Sequence, residues 1–123
     1  MNADPSPKRK MSEMISEMAA QFISGGKTPE EKHSRLTAAC SAWNMACGSL
    51  EMRRQQLEQY VDGYGQNNPA TSPSDLANIR KVMESLMERK LELFPDDKRQ
   101  IVDAKVIMVG NNFRIEVASA TLE

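Results

Sequence analysis

A chain of 123 residues with 40% apolar and 27% charged side chains can close one hydrophobic core without disulfide or metal staples, and it is too apolar to stay disordered. Sixteen basic against seventeen acidic residues leave a net charge of −1, which argues against a dedicated nucleic-acid binder, whose affinity comes from a basic face. No apolar run approaches the roughly 20 residues needed to cross a bilayer, and the N-terminus lacks the hydrophobic segment of a secretion signal. A cytoplasmic location without a membrane partner is therefore expected.

Aromatic residues are only 5% of the chain, so Leu, Ile, Val, Ala and nine Met must build the core. Residues 1–9 are polar, carry Pro5 and Pro7, and read as a flexible tail ahead of a single α+β domain over 10–121. The short basic run Lys8-Arg9-Lys10 reads as a solvated terminus. A first helix is predicted over about 10–23, where Met11, Met14, Ile15, Met18 and Phe22 fall at steps of three and four. Ser24-Gly25-Gly26 ends it. Its Met face suits packing on the next helix, and Met11, Met14 and Met18 are also candidates for docking a partner.

Thr28-Pro29-Glu30-Glu31 is a strong helix start: a capping hydroxyl, a proline at the first turn and carboxylates at the positive end of the dipole. The helix predicted from it runs to about residue 62. Leu36, Trp43, Leu50, Leu57 and Tyr64 recur every seven residues along it, with Ala39/Cys40, Ala46/Cys47 and Tyr60/Val61 between them. Gly48-Ser49 is a defect in this stripe and would divide the helix in two if the chain breaks there. The unshifted spacing favours one continuous helix. Arg53 and Arg54 in a midway slot speak against a coiled coil, although pairing with a second chain along the stripe is the runner-up.

Cys40 and Cys47 lie two helical turns apart, about 10 Å at the usual helical rise, beyond disulfide reach and wrong for chelation from one helix. They read as buried, unreactive thiols, and His33 completes no metal site with them. A polar connector over 63–74 leads to a helix over about 73–93, capped by Ser72 or Ser74 and stopped by Pro95. Leu76, Ile79, Met83, Leu86 and Met87 form its apolar face, and Arg80 and Lys81 are placed to pair with Glu84.

After Asp96-Asp97 the period changes to two. Val102, Ala104, Val106 and Met108 alternate with charges, as do Phe113, Ile115 and Val117, and Gly110-Asn111 suits a hairpin turn. That turn puts Met108 opposite Phe113, Val106 opposite Ile115, Ala104 opposite Val117 and Lys105 opposite Glu116. The expected architecture is three helices, or four with a break at Gly48, followed by an antiparallel β-hairpin. The closing Leu122-Glu123 carries no weight.

A hairpin alone has two open edges, and its second face carries Ile107 and Val109 among charges. Function is therefore expected through protein contact: an adaptor, regulatory or partner subunit meeting another protein or a second copy through Ile107, Val109, Arg114 and the Met face. Nucleotide and dinucleotide fingerprints, a nucleophile elbow and metal-ligand spacing are missing, so neither catalysis nor a cofactor is expected. Two alternatives stand beside this reading. One is nucleic-acid binding through Arg53, Arg54, Lys98 and Arg99; the other is a ligand pocket or enzyme near Trp43, Asn44 and the Tyr60/Tyr64 end.

Overall fold

The computed structural model describes residues 9–120, in which four helices precede a two-stranded antiparallel sheet. The helices are α1 (Met11–Ser24), α2 (Pro29–Ala46), α3 (Leu50–Asn67) and α4 (Pro73–Leu93), and the strands are β1 (Gln100–Val109) and β2 (Asn112–Ala120). The architecture is the α+β one that the periodicities predict. Most of the predicted tail and the Leu122-Glu123 pair lie outside the described residues. Arg9, assigned to the tail, is tied to the domain: its guanidinium forks onto Glu17 and stands 5.7 Å from the centre of the Phe94 ring.

Three of the four helices begin on a side-chain cap. The Thr28 and Ser72 hydroxyls accept from the backbone N–H of Glu31 and Asp75, and a proline follows each cap. The third cap corrects the continuous central helix. Ser49 is extended (φ −64°, ψ 165°) and its Oγ accepts from the Met52 N–H at 3.2 Å, so α3 starts anew after Gly48. Arg53 Nε donates to the Gly48 carbonyl at 3.0 Å and seals the junction from the other side.

The break dissolves the seven-residue stripe as one face. Leu36 and Trp43 are fully buried and Leu57 nearly so, while Leu50 is 55% and Tyr64 39% exposed. Equal spacing in sequence says nothing about a shared face once the two halves have separate axes. The same break removes the long seam that a coiled-coil partner would need. At its far end α3 outruns the predicted stop near 62 and continues to Asn67. Gly65 sits against the Leu76 methyls, where a Cβ would approach to 3.4 Å, so the glycine lets α4 pack closely instead of ending the helix.

α2 is the hub, touching α1, α3, α4 and β1. Ala39, Ala42 and Ala46 keep its flank thin, and Leu36 and Trp43 fill the space between its neighbours. α1 contributes Met11, Met14, Ile15, Met18 and Ile23 to the same core, and α4 contributes Met83, Leu86 and Met87. Close approach extends to the α1–α2 connection. A Cβ on the buried Gly26 would lie 2.7 Å from the Lys32 nitrogen and 2.9 Å from the Glu31 carbonyl carbon, both backbone atoms that cannot step aside. On α4, Arg80 pairs with Glu58 of α3 rather than with Glu84 along its own helix.

The hairpin has the predicted register from Val109↔Asn112 through Ala104↔Val117, with Lys105 against Glu116. Among the described residues Gly110 alone takes a positive φ, 62°, the pattern of a type II′ turn. Below Asp103 the prediction fails. Ile101 pairs with Ser119 and Asp103 with Ala118, leaving Val102 as the extra residue of a β-bulge. One extra residue reverses the facing of everything before it, so Ile101 is buried and Val102 is 65% exposed. Ala104, Val106, Phe113, Ile115 and Val117 pack on the helices as half-buried side chains.

Two glycine substitutions separate close packing from backbone freedom. Gly26→Ala is expected to destabilise by about 1–3 kcal/mol, because backbone occupies the space its methyl needs. Gly63→Ala, inside α3 with nothing within 4 Å of its Cβ, is expected to stabilise by about 0.5–1 kcal/mol. Urea unfolding of both variants beside the parent measures the difference.

Candidate functional site

The hairpin reaches the helices through a clasp of side chains at the α2 C-terminus. Trp43 Nε1 donates to the Arg99 carbonyl at 2.8 Å. One residue on, Asn44 behaves as a piece of backbone. Its Oδ1 accepts from the Ile101 N–H at 2.7 Å and its Nδ2 donates to the Ile101 carbonyl at 2.9 Å. Both groups of Ile101 point away from β2, so the amide takes the place of a neighbouring strand at that one position. Such a pair is worth roughly 1 kcal/mol per bond net, and leaving the two backbone groups unpaired would cost more.

A buried lysine sits beneath this contact. Lys90 of α4 has no exposed surface, donates to the Asp97 carbonyl at 2.6 Å and lies 4.9 Å from the centre of the Trp43 ring. Burial pushes its pKa down from the ordinary lysine value. The Cys47 thiol faces the carbonyls of Asp97 and Arg99 at 3.6 and 3.8 Å. The strand entry is thus gripped by a ring system, an ammonium and an amide, from two helices. Asp97 and Arg99 close the outside: the guanidinium forks onto the carboxylate, with Nη2 to Oδ2 at 2.6 Å and Nε to Oδ1 at 3.0 Å. Those bonds from Arg99 hold the Asp97 carboxyl below the usual aspartate range.

These contacts decide which predicted site residues remain available. Met11, Met14 and Met18 are between 2% and 4% exposed, which corrects their candidacy as a docking face: they fill the core beneath the clasp. Trp43 is fully buried, whereas Asn44 helps to line a groove of about 310 Å³ between His33, Thr37 and Ser41 of α2 and residues 101–104 of β1. Of the four basic residues considered for nucleic acid, Arg99 is engaged with Asp97 and Arg53 with the Gly48 carbonyl; Arg54 and Lys98 are exposed. Burial raises both thiols, Cys40 to about 12, leaving little thiolate near neutral pH.

Val109, Arg114 and half-buried Ile107 lie on the face of the hairpin turned from the helices, as the alternation predicts. The edges differ. The closing pair of a two-residue turn is hydrogen-bonded, so Val109, Ile107 and Lys105 bond inward to Asn112, Arg114 and Glu116. Ala104, Val106 and Met108 then point their backbone groups outward on β1, and Phe113, Ile115 and Val117 do so on β2. The β1 edge has the Asn44 amide at its base and the α2 flank beside it, while α1 packs against β2. Among the described residues no side chain bonds to the β2 edge. The sequence held a usable signal for Asn44, a polar residue beside the lone Trp, but its partner lies 57 positions away.

Asp97→Asn tests the outer closure through pH. A depressed folded-state pKa contributes stability above the ordinary aspartate value of 3.8, and that contribution is lost as pH falls through the folded value. The variant is therefore expected to be less stable than the parent at pH 7, with the difference closing in strong acid. Urea unfolding midpoints at both ends of that range measure it. No family model matches this chain, and the searches of curated proteins and of solved structures returned no match.

Proposed function

We propose that this chain works as a protein-interaction module, and that the occupant of its β2 edge is a second copy of itself. The observation that carries the reading is the residue order on β2. Antiparallel pairing of two β2 strands about Ile115 places Arg114 of each copy opposite Glu116 of the other. It also places Phe113 opposite Val117, and Ile115 opposite Ile115. Opposite charges and apolar pairs meet at every central position, which is the complementarity cross-strand contacts prefer.

The parity of the ladder supports the same centre. Ile115 has its N–H and C=O directed outward, so a two-fold axis beside it generates reciprocal hydrogen bonds. The β1 edge lacks this match, because a centre on Val106 sets Lys105 opposite Ile107. Pairing through β2 joins two hairpins into one four-stranded sheet, an isologous contact of the commonest oligomer symmetry. The joined outer faces then carry Ile107 and Val109 from both copies. A contact built from one strand pair is small, so a weak, concentration-dependent dimer is expected.

Charge exchange tests the register. Sedimentation from low micromolar to millimolar protein is expected to show the parent dimerising. Arg114→Glu shifts association at least tenfold weaker, because two like-charge pairs replace two opposite ones. Combining Arg114→Glu with Glu116→Arg restores it. A parent that stays monomeric throughout, or a dimer indifferent to both changes, contradicts the reading.

A further inference from the structure

A second feature stands apart from the hairpin and does not depend on its pairing. The end of α1 and the flanks of α2, α3 and α4 enclose a pocket of about 320 Å³, at the small end of the range for ligand sites. Its walls are mostly apolar, with Phe22, Ile79 and Val82 as the main surfaces, and Tyr60 and Tyr64 stand along the α3 side. Val82 and Tyr64 are among the exposed large apolar side chains of the molecule, at 37% and 39%.

The one charged group lining the pocket is Arg35; no carboxylate lines it. Its Nη1 donates to the Phe22 carbonyl at 2.8 Å and its guanidinium carbon lies 5.0 Å from the centre of the Phe22 ring. It rests over Gly25, where even a Cβ would come within 2.6 Å of Nη1. The fork is thus fixed in place by backbone and ring, and it makes no ion pair with any described residue. Arg9, Arg80, Arg99 and Arg114 each have a carboxylate partner; Arg53 and Arg89, like Arg35, bond only to backbone carbonyls, but neither lines this pocket. The hydroxyls of Tyr60 and Tyr64 make no hydrogen bond with the described residues either. A guanidinium without a carboxylate partner and two unpartnered hydroxyl-bearing residues, all lining one mostly apolar hollow, are complementary to one kind of molecule.

We infer that this pocket binds a small carboxylate with an apolar body, an aryl or short alkyl acid. The carboxylate pairs with the Arg35 guanidinium, and Tyr60 and Tyr64, which line the same pocket, carry further hydroxyl donors. The hydrocarbon lies on Phe22, Ile79 and Val82. With few atoms to bury and an open rim, affinity is on the order of 0.1–1 mM.

Chemical-shift titration of the labelled 123-residue chain with 1-naphthoate tests this, with neutral 1-naphthamide as the matched control. Naphthoate is expected to shift the amides of Arg35, Tyr60, Tyr64 and Val82 along one saturating curve, with naphthamide about tenfold weaker or worse. Arg35→Gln is expected to weaken naphthoate about tenfold and naphthamide much less. Because Arg35 also ties α1 to α2, Val82→Glu provides an independent arm: it keeps a helix-forming residue at an exposed site and sets a like charge on the rim. It is expected to weaken both ligands through the lost apolar contact, and naphthoate several-fold more than naphthamide. No saturating shift in the millimolar range, equal affinity for the amide, or naphthoate binding unaffected by Val82→Glu overturns the assignment.

Discussion

The placement of the hairpin depends on one side-chain amide and its neighbours. Asn44 holds both backbone groups of Ile101, Trp43 holds the Arg99 carbonyl, and Lys90 holds the Asp97 carbonyl from below. A hairpin of two strands is marginal in water by itself and needs a surface to lie on. The half-buried residues of its inner face provide part of that support, but apolar contact has no direction. The hydrogen bonds from α2 supply the direction: they fix where β1 begins, and the bulge at Val102 turns Ile101 into the core just there. From that point the ladder determines which backbone groups face each edge.

Residues that look like chemistry in a list become structure under this arrangement. Lys90 is a fully buried cation, yet it touches a carbonyl and an aromatic ring, two groups that compensate an ammonium without neutralising it. Its lowered pKa follows from that burial and marks a structural role as readily as a catalytic one. Cys47 sits against the same carbonyls as a weak donor. Arg99, considered for a basic face, is bound to the carboxylate two residues before it and also donates to the Arg9 carbonyl. The charges at the strand entry lock a junction.

Local chemistry made some elements legible and left others hidden. The bounds of α4 follow from Ser72-Pro73 and Pro95, and the upper register of the hairpin follows from Gly110-Asn111 and the alternation around it. Both signals lie within a few residues of what they determine. The break at Gly48-Ser49 was visible as a defect, but the seven-residue spacing argued for continuity, and spacing cannot sense a change of axis. Alternation alone puts Val102 inward, because nothing local announces a bulge that long-range burial of Ile101 requires. Arg80 found Glu58 across the α3–α4 contact, which no helical wheel contains. The sequence shows the Tyr60/Tyr64 end, but Arg35, which gives that pocket its charge, comes from a different helix.

Amide hydrogen exchange tests the edge asymmetry most directly. With Asn44 holding β1 and β2 left to pair, the Ile101 amide is expected to exchange slowly at every protein concentration. The amides of Phe113, Ile115 and Val117 are expected to exchange fast when dilute and to gain protection together as concentration rises, while those of Ala104, Val106 and Met108 stay fast. Rapid exchange at Ile101, or β2 amides that remain unprotected at the highest concentration, would contradict the account.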